Sequence, residues 1–91
     1  MAKASTKGRK RVSVAFNYSP DSQVFVAGTF NEWNPSAKRL SCKDGVHKAT
    51  MLVPKGRHEY KFVVDGTWHM DPDCDEWVPN PHGSFNSVLT V

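Results

Sequence analysis

What most restricts the fold of this 91-residue chain is its punctuation. Turn chemistry recurs at short, even intervals, and the segments between are brief and carry no helical period. Val12, Val14 and Phe16 alternate with Ser13, Ala15 and Asn17, the period-two pattern of a strand with one buried face, and Ser19-Pro20-Asp21 ends it. Gln23 to Ala27 is apolar on both sides and reads as a central strand covered on two faces. A long turn from Gly28 to Pro35 leads to a short strand over residues 38–42. Asp44-Gly45 is a hairpin turn into a strand over residues 46–53. Pro54-Lys55-Gly56 reverses the chain into His58 to Val64, the clearest strand, and Asp65-Gly66 is a second hairpin turn. Asp71 to Gly83 carries dense turn chemistry and reads as a loop; Asn86 to Val91 closes the series. About seven short strands without an internal repeat predict one all-β domain over residues 12–91, an immunoglobulin-like β-sandwich. The Cys–Trp–Cys spacing of true immunoglobulin domains is missing, so the expectation concerns architecture.

Charge narrows the classes of partner. Lys3, Lys7, Arg9, Lys10 and Arg11 all precede the first acid, Asp21. Of 12 basic residues those five sit in residues 1–11, which leaves 7 basic against 9 acidic in the body. The body therefore lacks the basic surface that a phosphate backbone requires, and residues 1–11 read as a basic, disordered leader. No apolar run reaches membrane-spanning length, and no apolar stretch follows the basic residues as in a secretory signal. Cys42 and Cys74 are too few for a disulfide framework; both are expected as free thiols, in a cytoplasmic chain.

The Asp65-Gly66 hairpin allows a deduction about faces. A two-residue turn sets Val64 opposite Thr67 and Val63 opposite Trp68, and directly opposed residues share a face. Lys61, Val63 and Trp68 then lie on one face, with Tyr60, Phe62 and Val64 on the other, the core face. A large exposed aromatic beside a long donor is the signature of a binding surface. In the turn Thr29 to Pro35, Phe30 and Trp33 cannot easily both tuck inward; we expect Phe30 inside and Trp33 outside. Trp77 is expected to pack the long loop onto the sheet.

Four stretches together resemble a known family: Val24-Phe25-Val26-Ala27-Gly28-Thr29-Phe30-Asn31-Glu32-Trp33, Glu59-Tyr60-Lys61-Phe62-Val63-Val64-Asp65-Gly66-Thr67-Trp68, Asp71-Pro72, and Gly83-Ser84-Phe85-Asn86-Ser87. Their order and spacing are similar to carbohydrate-binding module family 48. That family includes the glycogen-binding domain of the AMP-activated kinase β subunit and the early-set domains at the N-termini of isoamylases and branching enzymes. The resemblance implies a β-sandwich whose two tryptophans, here Trp33 and Trp68, stack on glucose rings. It implies sugar contacts from Lys61, Asn86 and Ser84. At the position of a leucine that reaches into the glucan helix, this chain has His82.

The residue types suit that ligand. A pyranose has an apolar face of C–H groups, which an indole covers, and a rim of hydroxyls, which Asn and Lys can serve. The expectation is a non-catalytic module for α-1,4-glucan (glycogen, starch or maltooligosaccharides) that needs no cofactor. The competing reading is an early-set-type interaction domain packed on a glycogen-metabolising enzyme or kinase subunit, with Val63/Trp68 and Val78/Trp77 as its surface. Asp71, Asp73 and Asp75 begin like a calcium loop, but Glu76 stands where glycine is required and His82 where the closing glutamate belongs. His47, His58, His69 and His82 lack metal-ligand spacing, and no nucleophile elbow or phosphate-binding glycine loop is present. No acid is expected between the sugar platforms apart from Glu32. These patterns point away from an enzyme, a metal site, a membrane partner or nucleic acid.

Overall fold

Two type I′ hairpins organise the sandwich. In the computed structural model, which describes residues 8–91, Asp44 and Gly45 take φ 55° and 80°, and Asp65 and Gly66 take 49° and 86°. Both pairs adopt the left-handed conformation that Asp-Gly accommodates, and the turn's twist matches that of the strands it joins. Eight strands form: β1 Arg9–Asn17, β2 Val24–Gly28, β3 Ser41–Lys43, β4 Val46–Pro54, β5 Arg57–Val64, β6 Thr67–His69, β7 Trp77–Pro79 and β8 Phe85–Thr90. One sheet runs β1-β4-β3; the other runs β2-β5-β8-β7, with β6 on β5. All pairings are antiparallel. The core between the sheets joins Val14 and Phe16 of β1, Val24 and Val26 of β2, Leu40, and Tyr60, Phe62 and Val64 of β5. The Phe16 and Phe62 rings meet at 4.8 Å between centroids.

The register agrees with the deduced faces. Val64 pairs with Thr67 and Val63 with Trp68. Strand β5 is central, with β2 along one edge over residues 60–64 and the other edge divided between β8 at 57–60 and β6 at 62–64.

Several sequence expectations need correction. Strand β1 begins at Arg9, inside the segment 1–11 read as a leader. Arg9, Lys10 and Arg11 pair with Pro54, Val53 and Leu52, because β4 is long enough to supply backbone partners while all three basic residues stay exposed. Residues 1–7 lie outside the described residues. Strand β2 is buried but not central: it ends the sheet's hydrogen-bonded path, and residues 38–40 cover its outer edge. Val26 N donates to Lys38 O at 2.9 Å and Leu40 N to Val24 O at 2.8 Å. The strand expected over 38–42 is therefore divided, its first part against β2 and residues 41–43 against β4. The supposed loop 71–83 contains β7, a three-residue strand ending at Pro79 and too short to show a period. Trp77 does not pack inward. It is 52% exposed, edge-on to Phe85 at the rim of the sheet.

The Asp triplet also has a local explanation. The Asp71 carboxylate accepts from Tyr60 Oη at 2.5 Å and from Asp73 N at 2.9 Å, while Asp71 N donates to Ser87 Oγ at 3.1 Å. This buried latch ties the connection after β6 to β5 and β8. Burial, and then the hydrogen bond to the Asp71 carboxylate, push the Tyr60 phenol far above its ordinary value.

Two predictions follow from this packing. A Cβ at Gly28 would strike the Glu59 carbonyl oxygen, the Phe30 ring and Tyr60 Cβ. Gly28 is extended at φ −170°, so the obstacle is space. Gly28→Ala should lose about 1–3 kcal/mol, as overpacking typically does, read as a lower urea midpoint with an unchanged slope. The chain has 2 tyrosines, and only Tyr18 is exposed. Because the folded-state pKa of Tyr60 is raised, its contribution to stability is complete below about 10, the unfolded value, and fades as pH rises beyond it. The Tyr60 share of the tyrosinate absorbance at 295 nm should therefore appear only together with alkaline unfolding, followed in parallel by circular dichroism.

Candidate functional site

One face of β5 carries the core; the other floors a basin of about 800 Å³. Strand alternation puts Glu59 and Lys61 on that second face. Both line the basin, as do Trp33, Trp68, His82, Ser84 and Asn86. All six residues singled out in the sequence (Trp33, Trp68, Lys61, Asn86, Ser84 and His82) thus converge on one surface. Thr29, Glu59, Asn80 and Pro81 complete the lining.

Each indole is delivered by a turn. Trp68 follows the Asp65-Gly66 hairpin and stays 43% exposed. That hairpin is clamped to the start of β2, since Gln23 N donates to Asp65 Oδ1 at 3.0 Å and Asp65 N to Gln23 O at 3.1 Å. Trp33 follows the 3₁₀ turn Thr29–Asn31, which the Asn31 side chain clips shut: Gly28 N donates to Oδ1 at 3.0 Å, and Nδ2 donates to Val26 O at 3.0 Å. Phe30 packs against the core, and Trp33, half-buried, turns toward the basin. The reversal needs two successive left-handed residues, Glu32 at φ 57° and Trp33 at φ 58°. A bulky aromatic seldom adopts that conformation, which costs on the order of 1–3 kcal/mol and persists where surrounding bonds over-determine it. Here Trp33 N donates to Gly28 O at 2.9 Å and Asn34 N to Asn31 O at 3.1 Å. The two indoles end 6.4 Å apart between ring centroids, their planes inclined by 50°.

The opposite wall is the β7–β8 hairpin. Asn80-Pro81-His82-Gly83 has Pro at the second position and a left-handed Gly, φ 78°, at the fourth, which is a three-residue hairpin loop with a bulge. Gly83 N donates to Asn80 O at 3.4 Å, and Asn80 N to Ser84 O at 2.9 Å. Asn80 holds the loop from within. Its Oδ1 accepts from His82 N at 3.0 Å and Ser84 N at 3.1 Å, while Nδ2 donates to Asn86 Oδ1 at 3.0 Å. Asn86 in turn donates to Glu59 Oε1 at 2.9 Å. Lys61 Nζ donates to Ser84 Oγ at 3.1 Å. Lys61 and Asn86 are each only 7% exposed, so their polar ends are held in place. Thr29 belongs to a second chain of bonds: His58 Nε2 donates to Pro54 O at 2.8 Å, leaving Nδ1 to accept from the Thr29 hydroxyl at 2.9 Å.

The result is a pair of inclined aromatic planes facing a wall of fixed amide, hydroxyl, ammonium and carboxylate groups. Such a surface matches a ligand with apolar faces and a hydroxylated rim. Glu59 corrects the expectation that no acid but Glu32 accompanies the platforms. Strand alternation from Lys61 was the signal for it, and the Asn-Pro-His-Gly turn was the signal for Asn80. Val63, offered as part of an interaction surface, is instead buried. Removing the Asn80 side chain should loosen the wall while sparing the core. In Asn80→Ala, hydrogen exchange at the His82 and Ser84 amides should quicken at least tenfold, against unchanged protection at Phe62 and Val64.

The family model described as the glycogen recognition site of AMP-activated protein kinase matches residues 12–91. The chain is 35% identical over 69 residues to the 5'-AMP-activated protein kinase subunit beta-1 of Sus scrofa, covering 76% of this chain and 54% of that protein. It is 37% identical over 70 residues to the subunit beta-2 of Homo sapiens, covering 76% of this chain and 25% of that one. For the subunit beta-1 of Bos taurus the identity is 36% over 69 residues, with shares of 76% and 24%. The match thus takes in about half the length of the first of these relatives and about a quarter of the other two.

Proposed function

Because this chain belongs to the family of the glycogen recognition site of AMP-activated protein kinase, we propose that its basin binds α-1,4-glucan, with Trp33 and Trp68 as stacking surfaces. The observation that carries the reading is the indole pair, 6.4 Å apart and inclined by 50°. Successive glucoses of an α-1,4 chain turn relative to one another, so two inclined planes suit neighbouring rings where one flat plane would serve a single ring. The rim hydroxyls then meet Lys61 Nζ and the Ser84, Asn86 and His82 side chains of the facing wall. Lys61, Ser84 and Asn86 are already braced by hydrogen bonds within the protein, which lowers the ordering cost of binding.

The module binds without transforming its ligand. Glu59 is the sole carboxylate among the residues lining the basin, whereas glycoside hydrolysis ordinarily uses two. The basin is open and wet, so a single site should bind weakly, roughly micromolar to millimolar. A branched polysaccharide with many chain ends compensates through multivalency.

Trp68 is exposed, so replacing it tests binding apart from folding. Removing about 80 Å² of apolar area from water at ~25 cal/mol per Å² is worth about 2 kcal/mol, or roughly thirtyfold in affinity. Trp68→Ala should therefore migrate through a glycogen-containing native gel as it does through a plain one, while the wild-type protein is retarded. Equal mobility of the wild-type protein in both gels would refute the glucan reading.

A further inference from the structure

Glu59 has a place in the basin that the stacking reading leaves unused. It is half-buried on β5, two residues before Lys61 on the same face, and both side chains line the basin. Its Oε1 accepts from Asn86 Nδ2. Its Oε2 has no hydrogen-bond partner among the described residues, and no fully enclosed side-chain oxygen there lacks one, so Oε2 is not sealed off from the basin that Glu59 lines. Lys61 presents the complementary condition. Its Nζ gives one bond, to Ser84 Oγ, and keeps two further hydrogens. The two charges do not pair with each other: the ion pair among the described residues is Arg57 with Glu76. Glu59 and Lys61 leave the strand about 7 Å apart along one face of the backbone, and their carboxylate and ammonium, unpaired and each with spare capacity, leave a gap for a group that can both donate and accept. A sugar hydroxyl is such a group.

Building on the glucan reading, we infer that Glu59 is a direct sugar ligand, with Oε2 accepting a hydrogen bond from a ring hydroxyl whose oxygen in turn accepts from Lys61 Nζ. The bridge makes both bonds charge-assisted, which are stronger than the neutral bonds that Ser84 or Asn86 offers. Asn86 then has a second task, since its bond to Oε1 turns the carboxylate so that Oε2 faces the ligand. Asn80 fixes Asn86 through the amide–amide bond, which makes it a positioning residue for the bridge. This arrangement also explains why neither charge is neutralised within the protein: a direct ion pair would occupy the capacity that the hydroxyl requires.

A double-mutant cycle tests the bridge. Maltoheptaose titrations followed by tryptophan emission would compare the wild-type protein with Glu59→Gln, Lys61→Met and the double variant. Glutamine can still accept from Asn86, so Glu59→Gln removes charge and preserves the wall; unchanged exchange at the Ser84 and Asn86 amides would verify that. The expected outcome is about a fivefold loss for Glu59→Gln. The double variant should lose less than the product of the two single losses, because each substitution removes the same bridged hydroxyl. Glu59→Gln within twofold of wild-type affinity, or losses that simply multiply, would overturn the inference and leave the stacking reading intact. Absence of any wild-type response to maltoheptaose would overturn the glucan reading itself, and this inference with it.

Discussion

Strand β5 divides the molecule into a core side and a site side. Tyr60, Phe62 and Val64 project into the sandwich, while Glu59, Lys61 and Val63 project the other way. Because strand period is two, a slip of one residue would exchange the sets, burying Glu59 and Lys61 in the sandwich and exposing Phe62. That slip is prevented from three directions: β2 pairs along 60–64, β8 along 57–60, and the Asp65-Gly66 turn sets β6 against 62–64. The hydrophobic cost of misregister is thus also what keeps the basin's charged groups in position.

The basin's walls are rigid for local reasons that differ from those of the floor. Trp33 depends on a short turn held by the Asn31 amide and stored in a left-handed backbone. The facing wall depends on Asn80, which bonds two backbone amides and one neighbouring side chain. Polar side chains working on backbone groups are an economical way to hold a shallow surface, because they ask little of a thin core.

Much of the fold was legible because its signals are local. Period-two alternation in β1 and β5 and the two Asp-Gly turns are properties of neighbouring residues, and both hairpin registers follow from them. The missed elements lacked local signals of that strength. Strand β7 has three residues and ends in proline, and it becomes a strand only through pairing with β8. Residues 38–40 look like the start of one strand, but the chain crosses between sheets at Leu40, a choice made by the free edges of β2 and β4. Trp77 seemed destined for the interior because aromatics usually are; it sits on β7, the end strand of its sheet, and the ring stays half in solvent.

The sequence by itself determined the all-β class, the turns, the core face of β5 and the outward placement of Trp68, since each rests on stereochemistry within a few residues. Resemblance, a matter of sequence as well, named six residues for the site. Only tertiary structure decided that those six share a basin with Thr29, Glu59, Asn80 and Pro81, and that the indoles stand 6.4 Å apart. The physical reason is separation along the chain. Trp33, Lys61 and Asn86 lie on different strands and turns, and their distances are set by how β2 and β8 pair with β5 and pack on one core, a sum of weak contacts that no local pattern encodes.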